Sequence, residues 1–358
     1  MAGADGALLA RHRARSGVLR RRPLALLAAG AACLAVVSVL GVGLGSVAVA
    51  PGDTLAILGR RLLGLPLHVT WSPAVETIIL DLRLPRVLSA MVVGLGLAVA
   101  GATFQGLLRN PLADPYVLGT ASGAALGAAV AILVPVRLLV LEFGLLHALA
   151  FLGALGSTCL VYRLSRAGPL APLTSLLLTG YAIGSLLAAG LSLTMYLSGS
   201  SLRQIFAFLL GGLEGSSWLR LAVALPIVLL ASAAITLRAR SLNGLLLGEE
   251  AAAHLGVDVR RERAILTGLA ALITSASVAL AGLIGFVGLV VPHLVRLVVG
   301  PNARLVLPIS AVFGACLLVL ADVVARLLGE IPIGIVTAVL GAPFFLAILR
   351  RTRVGYEL

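Results

Sequence analysis

The chain has 358 residues, of which 60% are hydrophobic and 11% charged, and its mean hydropathy is +1.12. A soluble domain of this length needs far more polar surface to cover itself, so composition points to an integral membrane protein. The net charge of +13 resides in arginines set in short segments between apolar runs, which argues for membrane topology and against a nucleic-acid-binding face.

All 27 basic residues are arginine. A phosphate-binding GxxxxGK[ST] loop needs its lysine to reach the β- and γ-phosphates, so this chain cannot hold one. Any ATP-driven work must come from another polypeptide. Cys33, Cys159 and Cys316 lie far apart in apolar segments and read as buried small hydrophobes.

Residues 1–23 read as a cytoplasmic basic leader, with Arg20-Arg21-Arg22 just before the first apolar run. That run is too long for a signal-peptide core of about 7–15 residues and reads as a span. A ruler of roughly 20 apolar residues per span then gives ten transmembrane helices. They fall near 24–48, 87–108, 117–135, 144–162, 174–196, 218–237, 264–281, 284–299, 305–325 and 332–349. Residues 24–349 thus form one all-α membrane domain, and 350–358 a cytoplasmic tail. Residues 201–217 read as an interfacial or external segment. With ten spans, 19 of the 27 arginines fall on the side of both termini and 8 on the other, which predicts cytoplasmic termini.

Ala98-Val99-Ala100-Gly101 and Ala279-Leu280-Ala281-Gly282 are related by an offset of 181, shared by Gly119 and Gly300. They suggest an inverted repeat. A carrier driven by an ion gradient is therefore the competing reading. Against it, few polar groups lie at membrane depth: Gln105, Asp322, and some Ser and Thr. Asp322 and Arg326 stand four apart and read as an ion pair on one helical face. No HExxH pattern or metal-ligand spacing occurs, and His147 and His293 are isolated, so neither an enzyme nor a cofactor is expected.

The segment Ser241–Arg263 reads as a cytoplasmic loop of one or two short amphipathic helices, with Gly256 ending a helix. It serves either as a solvated linker or as a docking surface. On the opposite side, Arg83, Arg86 and Arg326 read as rim arginines that snorkel to headgroups or meet an acidic partner.

Several stretches, taken together and in order, resemble one family. They are Arg83-Leu84-Pro85-Arg86, Gln105, Arg109-Asn110-Pro111-Leu112-Ala113-Asp114-Pro115, Ala281-Gly282-Leu283-Ile284-Gly285-Phe286, Pro292-His293, Ala321-Asp322 and Glu330-Ile331-Pro332-Ile333-Gly334. The chain is similar to the iron-siderophore, haem and vitamin B12 permeases of ABC importers. The resemblance implies a type II ABC importer permease fold that pairs with a second permease subunit, in a homodimer or with a close homologue. It further implies two cytoplasmic ABC ATPase subunits and a periplasmic or lipid-anchored substrate-binding protein, with the permease in the bacterial inner membrane.

By residue, the resemblance assigns Arg83, Arg86 and Arg326 to docking of the binding protein. It assigns Gly248, Glu249, Glu250, Ala251, His254, Leu255, Gly256 and Val257 to ATPase coupling. Gln105, Asn110, Thr174 and Ser175 fall near the family's gate and pathway. Where the family has an Asp-His-Arg run, this chain has Asn302-Ala303-Arg304.

Overall fold

A chain in hydrocarbon must satisfy every backbone N–H and C=O internally, and these apolar runs do so as helices. The computed structural model describes residues 23–45, 47, 49–134, 139–140, 143–165 and 173–353. Residues 1–22 of the expected leader and 354–358 of the expected tail lie outside the described residues.

The helices are, in chain order, α1 (Pro23–Gly43), α2 (Pro51–Leu63), α3 (Pro73–Thr77), a π-helical turn (Ile78–Arg83) running into α4 (Leu84–Leu107), α5 (Thr120–Leu133) and α6 (Leu145–Leu164). They continue as α7 (Leu173–Leu197), α8 (Leu202–Leu210), α9 (Trp218–Leu237), α10 (Ala239–Leu246), α11 (Glu249–His254), α12 (Val259–Ala281), α13 (Val287–Val299), α14 (Ala303–Leu327) and α15 (Ile333–Arg353). A two-residue hairpin pairs Leu139–Val140 with Phe143–Gly144. Among the described residues, seven helical segments are long and apolar enough to cross a membrane, and Thr120–Leu133, Val287–Val299 and Ile333–Ala347 are shorter apolar helices. Together they match the ten expected spans in place and order.

Helices α4, α12 and α14 form the centre. Helices α4 and α14 approach closely: a Cβ on Gly94 would lie 2.3 Å from the Gly314 carbonyl oxygen and one on Gly314 would lie 2.4 Å from that of Gly94. Only glycine at both positions allows two backbones to come this near, the usual device where no hydrophobic effect draws helices together. Helices α1 and α14 run parallel. Gly30 meets Val312 and Phe313 at one level, and Gly41 meets Val319 and Val323 further along.

Three expectations change. The second span begins earlier than residue 87, because Ser72 caps α3 through the Val75 N–H and the helix then runs on through the π-turn. Gly101 lies inside α4 whereas its offset partner Gly282 ends α12 at φ 69°, so the suspected repeat does not extend to local structure. Cys316 is buried, but Cys33 and Cys159 are exposed on the protein's flank, where lipid rather than protein would cover them.

Candidate functional site

One end of the bundle carries α10 and α11. Their connection turns at Gly248, and Gly256, at φ 78°, closes α11. There the Val257 N–H donates to the Ala252 carbonyl at 3.0 Å and the Gly256 N–H to that of Ala253 at 2.9 Å, the Schellman pattern expected of a glycine stop. Ala252 is fully buried and packs on Gly244 of α10, with Val257 beside it. Arg263 ion-pairs with Glu249, and Arg238 with Glu262 at 2.5 Å, so α12 holds the loop from the side. The outward face consists of Glu250, Ala253, His254, Leu255 and Gly256, with Leu255 65% exposed. Of the residues expected to couple to an ATPase, then, Glu249 and Val257 build the loop together with Ala252, while Glu250, His254 and Leu255 lie on its exposed face.

The opposite end carries Arg83, Arg86 and Arg326, and the structure draws all three together around α1. A helix leaves its last carbonyls without intrahelical partners. Here arginines take them. Arg83 Nη1 donates to the carbonyls of Gly43 (2.7 Å) and Val42 (3.2 Å), and its Nη2 donates to Val47. Arg326 Nη2 donates to Gly41 and Nη1 to Leu44, both at 2.7 Å. The negative end of the helix dipole supplies a further reason for cations to gather there.

Asp322, fully buried, completes the network. Its Oδ1 accepts from Arg86 Nε at 2.8 Å, and its Oδ2 lies 3.0 Å from Arg326 Nε. The expected pair Asp322–Arg326 is present; the bond to Arg86 is additional. Arg83 and Arg326 are only 6% and 5% exposed. They are not the outward-reaching rim charges expected from sequence. The physical reason is that unpaired carbonyls at the end of α1 bind a buried guanidinium by two or more bonds.

Between the two ends, Gln105 is a cross-link rather than an open pathway group. Its Nε2 donates to the Leu289 carbonyl at 3.0 Å, and its Oε1 accepts from Arg296, whose Nη2 reaches the Ala102 carbonyl at 2.9 Å. Helix α13 is thereby fastened to α4. Tyr116 latches the segment after α4 to the α12–α13 break. Its hydroxyl accepts from the Ile284 N–H at 3.2 Å and donates to the Ile284 carbonyl at 3.1 Å. Asn110 Oδ1 accepts from the Leu112 N–H at 2.9 Å, which shapes the turn after α4. Ser175, in the first turn of α7, bonds the Ser165 carbonyl at 3.5 Å; Thr174 precedes it, and its side chain lies outside the described residues.

The residues to which sequence reasoning gave no role are Arg296, Tyr116 and Asn243. The signal for Arg296 was a lone cation after Pro292-His293 in an apolar helix. Asn243 gave none, since its partner lies 59 positions away.

Comparison with known proteins returns a consistent picture. Residues 33–351 match the model of the FecCD transport family. The chain is 44% identical over 305 residues to the cobalamin import system permease of Halobacterium salinarum, covering 85% of this chain and 80% of that one. It is 43% identical over 300 residues to the hemin transport system permease of Yersinia pestis, covering 81% and 90%. Among solved structures, it resembles an inward-facing metal-chelate type ABC transporter at 32% identity and a TM-score of 0.78, covering 91% of this chain and 98% of the other.

Proposed function

The chain belongs to the FecCD transport family of ABC importer permeases, and from that premise we propose that it carries an iron chelate (ferric siderophore or haem) or cobalamin inward across the bacterial inner membrane. It is a transport subunit and not an enzyme. The carrier reading driven by an ion gradient falls away with membership. The observation that carries the cargo reading is the near-equal likeness to a cobalamin and a hemin permease over most of the chain.

The partners follow. Two cytoplasmic ABC ATPase subunits bind at the α10–α11 end, where Glu250, His254 and Leu255 are presented. Both termini then lie on that cytoplasmic side, which the arginine distribution supports. A periplasmic or lipid-anchored binding protein docks at the opposite end. Arg86 meets its carboxylates there, while Arg83 and Arg326 hold the end of α1. A second copy of this chain packs on α7 and α15, whose Tyr181, Leu186, Tyr196 and Val339 have no cover within one subunit. ATP binding and hydrolysis in the partner rock the helices between outward and inward states, and the cargo passes chemically unchanged.

The cargo reading is tested by purifying the binding protein of the same system and identifying its bound small molecule by mass spectrometry. A corrinoid, haem or ferric siderophore is the expected result. A binding protein that retains and binds none of the three overturns the cargo assignment.

A further inference from the structure

Helix α14 begins at the α10–α11 end, and its four leading N–H groups need partners from outside the helix. Leu305 and Val306 donate to the Asn302 carbonyl, each at 3.0 Å, and Arg304 donates to Asn302 Oδ1 at 3.1 Å. The fourth, Ala303, donates instead to Asn243 Oδ1 of α10 at 2.7 Å. Asn243 Nδ2 in turn donates to Asn302 Oδ1 at 2.8 Å. One side chain of the coupling segment thus completes the cap of α14 and also bonds the capping residue.

We propose that Asn243 and Asn302 form the latch through which movement of α10–α11 passes to α14. The inference rests on the importer reading, in which a partner ATPase moves that segment. Three observations carry it. First, α10 is tied to the rest of the loop: Gly244 receives Ala252 and Val257, and Leu242 packs fully buried against Gly106 at the end of α4. Second, the latch lies on accessible surface. A cleft of about 370 Å³ opens beside it, lined by Asn243, Asn302, Arg240, Arg304, Leu247 and Leu255. Third, α14 has 25 residues and spans about 37 Å. Its far end carries Asp322 and Arg326, so α14 runs from the latch to the arginine network around α1.

The latch is built from two side-chain amides, those of Asn243 and Asn302. A neutral amide pair carries no net charge to screen or titrate.

Asn243 and Asn302 are positioning residues, and the readout is cargo moved per ATP hydrolysed, in proteoliposomes that hold the permease, its ATPase and its binding protein. Asn243→Ala removes both bonds. Asn243→Asp keeps size and the acceptor for Ala303 but turns a carboxylate oxygen toward Asn302 Oδ1. Asn302→Asp keeps both acceptor roles and adds a favourable charge at a helix start. Asn243→Ala and Asn243→Asp are expected to lower cargo per ATP about fivefold or more, with ATPase assembly retained on an affinity column. The conservative Asn302→Asp is expected within about twofold of wild type. A wild-type ratio in assembled Asn243→Asp overturns the latch, as does equal loss in Asn302→Asp. If the wild type itself moves no cargo with ATP, the importer reading fails instead.

Discussion

Arg86 Nε donates to Asp322 Oδ1 at 2.8 Å and so joins α4 to α14 across 236 positions of the chain. Arg326 approaches the other oxygen of the same carboxylate. One buried acid thus holds two cations, and Arg326 and Arg83 in turn hold the end of α1.

Replacing Asp322 by Asn leaves Arg86 and Arg326 without a counter-charge in a buried site. Breaking a buried pair from one side costs on the order of 3–5 kcal/mol. The solubilised Asp322→Asn protein is expected to unfold at clearly lower temperature than wild type. Adding Arg86→Gln should recover part of the loss, because the two changes share one interaction. Additive losses would show that Arg86 and Asp322 act separately.

Arg326→Lys keeps the charge but not the planar fork that serves Asp322, Gly41 and Leu44 together. The end of α1 should loosen. Amide exchange over residues 41–45 is expected to rise about tenfold, on the order of 1.4 kcal/mol of local opening. Unchanged exchange would mean that Arg83 alone suffices to hold the helix end.

The parallel register of α1 and α14 places Cys33 and Cys316 together. Gly30 meets Val312 and Phe313, three residues further along each helix come the two cysteines, and both line one apolar groove. The Cys316 thiol donates to the Gly30 carbonyl at 3.7 Å, one turn from Cys33. Copper–phenanthroline treatment of membranes should therefore join the two in a disulfide, detected as a cross-linked peptide. Cys159, on another helix, should remain unjoined to either. Cross-linking of Cys159 to Cys33 in preference to Cys316 would contradict the register.

Gly314→Leu forces a side chain into a space where even a Cβ would meet the Gly94 carbonyl oxygen at 2.4 Å. Overpacking of this kind costs about 1–3 kcal/mol or more, and here backbone must move to relieve it. Loss of thermal stability is expected, larger than for Gly156→Leu, whose Cβ would meet nothing within 4 Å. Equal stability of the two variants would show that α4 and α14 are not so closely apposed.

Hydropathy alone located the ten spans, because the bilayer demands long apolar runs whatever their partners. Helix ends were less legible. The break between α12 and α13 shows in sequence only as Gly282 and Gly285, and amphipathic α2 hides between two stronger apolar segments. The α10–α11 loop was readable down to its Gly256 stop, since that turn depends on local chemistry. The arginine cluster was not: its carbonyl partners lie 36–41 positions from Arg83 and 282–285 from Arg326. A rim arginine in isolation reads as pointing to headgroups. Its inward turn follows from where α1 happens to end.

As an ABC importer permease, this subunit moves cargo with energy supplied by another polypeptide. Proteoliposomes holding the permease and its ATPase, with cargo-loaded binding protein outside and ATP inside, test it most directly. Uptake of labelled cobalamin, haem or ferric siderophore is expected only when ATP and the ATPase are both present, and a proton or sodium gradient alone should drive none. Sustained uptake on an ion gradient without the ATPase would show instead that this subunit energises transport by itself.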